Sequence, residues 1–133
     1  MKLFLYTDGG SRGNPGPSAT GIVIKDAQGK ILANYGEYLG IQTNNFAEYS
    51  AMISALEKAK ELGATQVVCI ADSKLVIEQL NGNWKVKEPT LQKLWLKAWN
   101  LLQQFESYSL SHTMREQNTE ADAEVNKVLD RES

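Results

Sequence analysis

The amino-acid sequence predicts one α/β domain over residues 1–133, built as a mixed β-sheet with helices packed on it. Strand-like segments occupy the first third of the chain, and helical and strand-like periods alternate from residue 44 onwards. No internal repeat, low-complexity tract or linker-like stretch interrupts the 133 residues. A chain of this length can bury a hydrophobic core without disulfides or a structural metal.

The first part of the chain predicts three antiparallel strands. Residues 2–7 are apolar and aromatic enough for a buried strand, and they lead into the turn-rich segment 8–17. Further strand-like stretches follow at 19–25 and 31–38. The connection between them, 26–30, is short and contains a glycine, as in a β-hairpin.

The rest of the chain alternates between helical and extended periods. Apolar positions between residues 44 and 62 recur at helical spacing, and Gly63 follows where a helix C-cap is expected. The same reasoning predicts four further elements before the last helix: a strand over 66–71, a helix over 74–80, a helix over 90–106 and a strand over 108–113. A final helix begins near Thr119.

Charge and cysteine content narrow the functional classes. The net charge is −2 and the sequence pI is about 5.4, which argues against tight, nonspecific electrostatic binding of nucleic acid. The single cysteine, Cys69, lies in the apolar run 67–70, where a buried thiol in a reducing compartment is expected. The apolar start at 3–6 is too short for a signal peptide, and no window approaches a membrane span. We therefore expect a cytoplasmic protein without a membrane partner.

Four acidic residues stand at positions where each has an ordinary structural explanation. Asp8 precedes a glycine pair, as turn residues do, and Asp72 stands where a helix N-cap belongs. Glu48 and Asp122 have the spacing of capping-box residues, Glu48 relative to Asn45. However, Glu48 and Asp122 also fall on the apolar side of their helices, where a carboxylate needs a partner. Capping alone does not explain that position.

Convergence of these acids at one edge of the sheet would create a metal site. Carboxylates held close together repel one another unless divalent cations lie among them. Oxygen ligands without a cysteine or histidine cluster favour Mg²⁺ or Mn²⁺ over Zn²⁺. A site that binds two such ions suits phosphodiester hydrolysis. Sequence spacing by itself does not establish that the four acids meet.

Several short segments together resemble the type 1 ribonuclease H family, which includes the ribonuclease H domains of reverse transcriptases. They occur in the family's order and span most of the chain: YTDGGS at 6–11, GNPGP at 13–17, TNNFAEY at 43–49, ADSKLV at 71–76, and 112–122 with its histidine, asparagine and aspartate. The resemblance implies the ribonuclease H-like fold. That fold has a five-stranded mixed sheet whose first three strands are antiparallel.

The same resemblance implies an endonuclease that hydrolyses the RNA strand of an RNA/DNA hybrid with two metal ions. The products would carry 5′-phosphate and 3′-hydroxyl ends. Asp8, Glu48, Asp72 and Asp122 would be the catalytic, metal-binding set. His112, the only histidine, would assist proton transfer or product release rather than bind metal, since histidine exchanges protons near neutral pH.

Substrate contacts are also implied by the resemblance. Short amide side chains can both donate to and accept from a 2′-hydroxyl, which distinguishes RNA from DNA. The implied contact residues are Gly13, Asn14, Asn44, Asn45, Ser73 and Asn118. Turn and cap roles remain the alternative for the asparagines.

One region departs from the pattern of many bacterial members. Their basic, tryptophan-containing protrusion is reduced here to 83–88, as in the shorter archaeal and bacterial subgroup. Trp84, Lys85 and Lys87 are predicted as a residual substrate contact, with a solvated loop as the alternative. Members of that subgroup sometimes also cut duplex RNA, so this second substrate stays open. A helical stripe places Trp95 and Trp99 in the predicted core.

Two rival functions remain to be weighed. One is a nuclease of the same superfamily that acts on DNA, against which Asn14 and the segment 43–45 argue. The other is a nucleic-acid-binding module without catalysis, against which the four acids and His112 argue. We expect a monomer whose partner is the hybrid.

Overall fold

The computed structural model describes residues 1–132. In chain order its elements are β1 (Lys2–Ser11), β2 (Gly16–Lys25), β3 (Ile31–Tyr35), β4 (Tyr38–Gln42), α1 (Asn44–Glu61), β5 (Gln66–Ala71), α2 (Lys74–Leu80), α3 (Pro89–Leu102), β6 (Ser107–His112), a 3₁₀ turn (Arg115–Gln117) and α4 (Thr119–Glu132). The strands form one mixed sheet in the order β3-β2-β1-β5-β6, with β4 also paired to β2. The predicted mixed α/β fold is confirmed. None of the helices within residues 1–132 is long and apolar enough to cross a membrane.

The central strand β1 is antiparallel to β2 and parallel to β5. In the parallel ladder Thr7 pairs with Ala71, the last residue of β5. Because parallel strands end at the same edge of a sheet, Asp8 and Asp72 follow this pair at one edge. The ladder therefore brings together two acids that are far apart in sequence.

The third predicted strand, 31–38, covers β3 and only the first residue of β4, which continues to Gln42 and was not predicted. β3 and β4 pair in turn with the two halves of β2 and are separated at Gly36. An ideal Cβ on Gly36 would lie 2.5 Å from the carbonyl oxygen of Thr20. The Thr20 N–H also donates to the carbonyl of Glu37 at 2.9 Å, so the break replaces the regular ladder with a local contact.

Two hydrophobic clusters cover opposite faces of the sheet. The main cluster joins Ile22 and Ile24 of β2 to helices α1, α2 and α3. The smaller cluster consists of Ala19 with Val125, Val128 and Leu129 of α4. Since alternate residues of a strand point to opposite faces, Ala19 and Ile22 place α4 on the side away from α1. The sheet thus carries one helix on one face and three on the other.

Helix α3 is shorter than predicted. The prediction was 90–106, but the helix ends at Leu102, and Phe105 is buried from the turn that follows. Trp95 packs against the main core, whereas Trp99 is 38% exposed and stacks on Trp95 with the ring centroids 6.1 Å apart. The expected core position is wrong for Trp99. The buried thiol predicted for Cys69 is confirmed.

Candidate nuclease active site

Four different elements supply the four predicted acids. Asp8 lies within β1, which continues to Ser11, and Asp72 follows β5 directly. Glu48 and Asp122 lie near the N-termini of α1 and α4. All four line one cleft of about 450 Å³. The structure therefore brings together the acids that sequence analysis singled out.

Three of the acids form a compact group. Carboxylate oxygens of Asp8, Glu48 and Asp72 lie within 4.8 Å of one another, a spacing that could hold a metal ion. Asp122 is not one of these three, but it is near enough to Asp8 to contribute to the raised pKa of that carboxyl group. The Asp122 side chain is one-third exposed and lies 3.9 Å from the guanidinium of Arg115. Asp122 therefore stands at the edge of the group.

Gly9 fixes Glu48 against β1. The backbone N–H of Gly9 donates to Glu48 Oε1 at 2.6 Å and to Asp8 Oδ1 at 2.9 Å. An ideal Cβ on Gly9 would lie 2.3 Å from the carbonyl carbon of Ala47, so only glycine allows α1 to approach this closely. Thr43 caps α1 by accepting from the N–H of Phe46, and the capping box proposed for Glu48 with Asn45 is therefore wrong.

Burial and mutual repulsion raise the pKa values of two of these acids. Burial, followed by the charges of Asp72 and Asp122, raises the pKa of Asp8 to about 8. Burial, followed by the charges of Asp8 and Asp72, raises the pKa of Glu48 well above its ordinary value, although the N–H of Gly9 and the charge of Arg115 act in the opposite direction. A bound cation would stabilise the ionised form of both groups.

An unpartnered oxygen provides a test of metal fit. Asp72 Oδ1 is buried, and no hydrogen bond to it exists among residues 1–132. A buried carboxylate oxygen without a partner is costly, and such exceptions require an explanation such as an ion. The donors around it are the carboxylates of Asp8 and Glu48, hard oxygen ligands of the kind that Mg²⁺ and Mn²⁺ prefer. The residues present fit a divalent cation.

Asn118 holds the start of α4 against β1. Its side-chain amide donates to the carbonyl of Thr7 at 2.8 Å, and its own carbonyl accepts the N–H of Asp122 at 3.1 Å. Asn118 is only 2% exposed. In this structure the side chain of Asn118 makes an internal contact, which positions the segment that carries Asp122, and its role as a substrate contact stays a prediction.

The remaining predicted amides lie together at the mouth of the cleft. Asn44 Oδ1 accepts the N–H of Ser11 at 2.8 Å, and Asn14 Oδ1 accepts the N–H of Asn44 at 3.1 Å. Gly13 and Asn45 are exposed beside them. These contacts use one carbonyl oxygen each of Asn14 and Asn44, and both residues are exposed. The glycine-rich loop and the N-terminus of α1 thus form one polar surface.

Two predicted residues flank Asp72 outside the acid group. Ser73 caps α2, since its hydroxyl accepts the N–H of Val76 at 3.3 Å. His112 is the last residue of β6, pairs with Ala71 in the parallel ladder and is exposed. His112 does not line the cleft. The structure therefore places His112 beside the strand that leads to Asp72, but not among the carboxylates.

The short segment after α2 forms a second, more apolar surface. Trp84 is 45% exposed, and Lys85 and Lys87 are also exposed. Trp84 and Trp95 line a groove of about 480 Å³. The ammonium group of Lys74 lies 6.0 Å from the Trp84 ring centroid, at the limit of a cation–π contact. This surface is separate from the cleft that contains the acids.

Sequence analysis did not single out the two arginines that line the acid cleft. Arg115 lies in the 3₁₀ turn between β6 and α4, and Arg12 lies in the loop after β1. The guanidinium of Arg12 bonds to Asp130 of α4 at 2.6 Å. Arg115 could have been noticed because it falls inside the family-like segment 112–122. Its charge within an acid-rich motif was the available signal.

The comparisons with known proteins agree with this geometry. The family described as "Reverse transcriptase-like" matches residues 6–128. The crystal structure of RNase H1 from Halobacterium salinarum superposes with a TM-score of 0.96 at 42% identity, covering 98% of this chain and 99% of that one. LC11-RNase H1 in complex with an RNA/DNA hybrid gives a TM-score of 0.92 at 40% identity, with 97% of each chain covered. LC11-RNase H1 was isolated from compost.

A bifunctional protein of Mycobacterium tuberculosis is 44% identical over 131 residues, which is 98% of this chain but 36% of that protein. Ribonuclease HI of Halobacterium salinarum is 43% identical over 129 residues, or 65% of its length. The chain thus spans about one-third and two-thirds of these curated relatives.

An α/β sheet with an acid-lined cleft and a reverse transcriptase-like sequence defines the broad class. Within that class, this chain belongs to the type 1 ribonuclease H family. The family depends on divalent metal ions, and the cluster of Asp8, Glu48 and Asp72 is compatible with that dependence. The family membership predicted from the short segments is therefore confirmed.

Proposed function

We propose that this chain is an endoribonuclease that hydrolyses the RNA strand of RNA/DNA hybrids, and that residues 1–133 form its single ribonuclease H domain. The observation that carries the proposal is the group of three carboxylates within 4.8 Å, one of them with a buried and unpartnered oxygen. Relatives named ribonuclease H and a similar structure bound to a hybrid support the choice of reaction and substrate.

The proposed metal-binding residues are Asp8, Glu48, Asp72 and Asp122. Two Mg²⁺ or Mn²⁺ ions would supply an activated water and would stabilise the charge on the leaving oxygen. Gly9 keeps Glu48 beside Asp8 through its N–H, and Asn118 keeps the start of α4 beside β1. These contacts fix the ligand oxygens before any substrate binds, which lowers the cost of assembling the site.

The polar surface beside the acids suits a hybrid minor groove. Asn14, Asn44 and Asn45 offer amide groups that can answer both the donor and the acceptor of a 2′-hydroxyl. Gly13 permits the left-handed turn of this loop, with φ +85°. Arg115 and Arg12 carry positive charge on the wall of the same cleft, where a phosphate would approach. Ser73 lies at the start of α2, next to Asp72.

The remaining assignments are part of the same proposal. His112, exposed beside Asp72, would move a proton or help the product phosphate to leave. Trp84, Lys85 and Lys87 would contact the substrate away from the reacting phosphate. The protein would act as a monomer in the cytoplasm, where a free, buried Cys69 stays reduced. Duplex RNA is proposed as a second, weaker substrate.

The experiment compares end-labelled RNA/DNA hybrid, duplex RNA, duplex DNA and single strands, each with Mg²⁺, Mn²⁺ or chelator. We expect cleavage of the hybrid RNA only with metal, and 5′-phosphate and 3′-hydroxyl ends. Asp72→Asn is the inactive control. Cyclic 2′,3′-phosphate ends would overturn the mechanism, because they arise from attack by the 2′-hydroxyl rather than by water. Cleavage of duplex DNA alone would favour the DNA-acting rival, and binding without cleavage the non-catalytic module.

A further inference from the structure

Gln79 is a buried polar residue that the proposed chemistry does not use. It lies in the last turn of α2 and is only 5% exposed, between Val76, Ile77 and Leu80 of the main core. Glutamine is rarely buried to this extent unless its amide is fully partnered. The contacts of Gln79 meet that condition, and they reach three separate parts of the chain.

The two side-chain polar atoms and the backbone carbonyl of Gln79 contact three different parts of the chain. Its Oε1 accepts a short hydrogen bond from the hydroxyl of Tyr49 in α1. Its Nε2 donates to the carbonyl of Lys85 at 3.2 Å, in the segment between α2 and α3. Its backbone carbonyl accepts the indole N–H of Trp95 in α3 at 3.0 Å. One residue therefore links α1, the 81–88 segment and α3.

A second amide holds the neighbouring carbonyl of the same segment. Gln92 Nε2 donates to the carbonyl of Val86 at 2.8 Å. Two side-chain amides thus hold two consecutive carbonyls of a segment that has no regular secondary structure. The segment has further contacts: the N–H groups of Asn83 and Trp84 donate to the carbonyl of Glu78, the Asn83 side chain donates to the Glu78 carboxylate, and Val86 packs against the main core. The two amide bonds are the ones that hold the backbone of Lys85 and Val86.

Tyr49 connects this arrangement to the acid cleft. It directly follows Glu48 in α1 and is fully buried, so its hydroxyl has a fixed position relative to the cleft. Gln79 bonds both to this hydroxyl and to the carbonyl of Lys85, so it holds Lys85 in place relative to Tyr49. One buried and one partly buried hydrogen bond thereby connect helix α1, which carries Glu48, to the exposed surface of Trp84, Lys85 and Lys87.

We infer that Gln79 is a positioning residue, which holds the 84–87 segment in a fixed place relative to Glu48 so that Trp84, Lys85 and Lys87 can contact the substrate without first being ordered. This inference rests on the proposed function. A contact surface that is already ordered binds more tightly, because no conformational entropy is lost in ordering it when the substrate binds. Gln79 does not contact the reacting atoms, so loss of its hydrogen bonds should raise KM and leave kcat unchanged.

The principal variant is Gln79→Met, which keeps the length of the side chain and removes both amide bonds. We expect KM for the hybrid to rise about three- to tenfold with kcat within about twofold of wild type. Gln92→Met is expected to raise KM in the same direction. The matched control is Gln28→Met in the exposed turn after β2, for which both constants should stay unchanged.

A readout without substrate separates this inference from the proposed function. Hydrogen exchange of the amides in 82–88 should be faster in Gln79→Met and Gln92→Met than in wild type, with α1 unchanged. Faster exchange would support the positioning role even if the wild-type chain cleaved no hybrid. Unchanged exchange, or a fall in kcat at constant KM, would overturn it.

Tyr49→Phe keeps the test decisive if Gln79→Met fails to fold. It removes one hydroxyl and leaves the bond from Gln79 to Lys85 in place. We expect a KM increase of about two- to threefold and a smaller rise in exchange. The double variant Tyr49→Phe with Gln79→Met should be no worse than Gln79→Met alone, because both act through the same bonds. Fully additive effects would contradict the proposed chain of contacts.

Discussion

Asp8 lies directly opposite Gly21 in the antiparallel ladder of β1 and β2. An ideal Cβ on Gly21 would lie 2.0 Å from the carbonyl oxygen of Ala121, the residue before Asp122. The missing side chain of Gly21 is therefore what allows α4 to approach the sheet and to carry Asp122 to Asp8. The acid group depends on two glycine contacts, Gly9 with α1 on one face and Gly21 with α4 on the other.

The first prediction concerns that contact. Gly21→Ala should push the start of α4 away from β2, because the new methyl group meets backbone and cannot be accommodated by a rotamer change. We expect a loss of stability at the upper end of about 1–3 kcal/mol and a fall in hybrid cleavage. Gly29→Ala is the control, because an ideal Cβ on Gly29 meets nothing within 4 Å. Its positive φ of +82° makes alanine cost about 1–2 kcal/mol of stability. Cleavage activity should be unchanged. Denaturant unfolding measures the stability of both variants. Cleavage is then assayed under conditions in which both variants are still folded.

The second prediction concerns Asp72. Its charge raises the pKa values of both Asp8 and Glu48, so Asp72→Asn removes repulsion in the metal-free protein as well as a ligand oxygen. Cleavage should be abolished, and the metal-free midpoint temperature should be equal to or above that of wild type. Calorimetry with chelator and a cleavage assay with Mg²⁺ measure the two effects. A variant that unfolds at lower temperature yet cleaves would contradict the assignment.

The third prediction is a pH dependence of metal-free stability. Burial and the neighbouring acids raise the pKa of folded Asp8 to about 8, whereas its ordinary value is 3.8. Between these values the folded state binds more protons than the unfolded state, so the free energy of unfolding falls as pH rises from about 4 towards 8. Urea unfolding with chelator measures this trend. Mg²⁺ should reduce it, because a cation stabilises the ionised carboxylates; a trend unaffected by Mg²⁺ would argue against binding at this cleft.

The fourth prediction concerns His112. Its exposed position beside Asp72 suits proton transfer or product release and not metal binding. We expect His112→Ala to lower turnover on the order of a hundredfold, while metal affinity and hybrid binding change little. Single-turnover and steady-state kinetics with ion titration separate these effects. Unchanged turnover would make His112 structural, and a large loss of metal affinity would make it a ligand.

The fifth prediction concerns salt. Few cations face the proposed substrate surfaces, chiefly Arg12, Arg115, Lys85 and Lys87, within a chain of net charge −2. If these four neutralise about four phosphates, the slope of log K against log salt should be no steeper than about −4. Fluorescence anisotropy with labelled hybrid and chelator measures it. Nanomolar affinity that persists at high salt would show that binding does not depend on these residues.

Much of the acid cleft could be predicted because its signals are local. Asp8 and Asp72 each follow a run that forms a strand, and Glu48 and Asp122 lie at helix starts that have clear periodicity. Their convergence was not visible in the spacing. It depends on the parallel pairing of Thr7 with Ala71, which joins residues 64 positions apart, and on glycines whose role appears only when helices pack against them.

The parts that differ from prediction depend on tertiary contacts. The third predicted strand breaks at Gly36, where the backbone lies close to the carbonyl oxygen of Thr20. Strand propensity, which is a local property, does not indicate such a tertiary contact. Trp99 has the helical spacing of a core residue, but only its neighbour Trp95 packs, partly buried, against the core, and Trp99 stacks on Trp95 from outside. The family-like motif predicts Asn118 as a substrate contact, but it does not indicate that the side-chain amide also donates to the carbonyl of Thr7 inside the fold.

Asp122 is the one acid of the four that is carried by the helix on the opposite face of the sheet, α4. The apolar contacts of helix α4 with its face of the sheet form a small cluster of Ala19, Val125, Val128 and Leu129, apart from the main core. Elements with few apolar contacts can open locally while the remainder stays native. In such a partially open state Asp8, Glu48 and Asp72 keep their mutual geometry, and Asp122 leaves. Local opening of α4 would therefore leave a three-carboxylate form of the cleft, in which a cation would still have ligands but Asp122 would be missing.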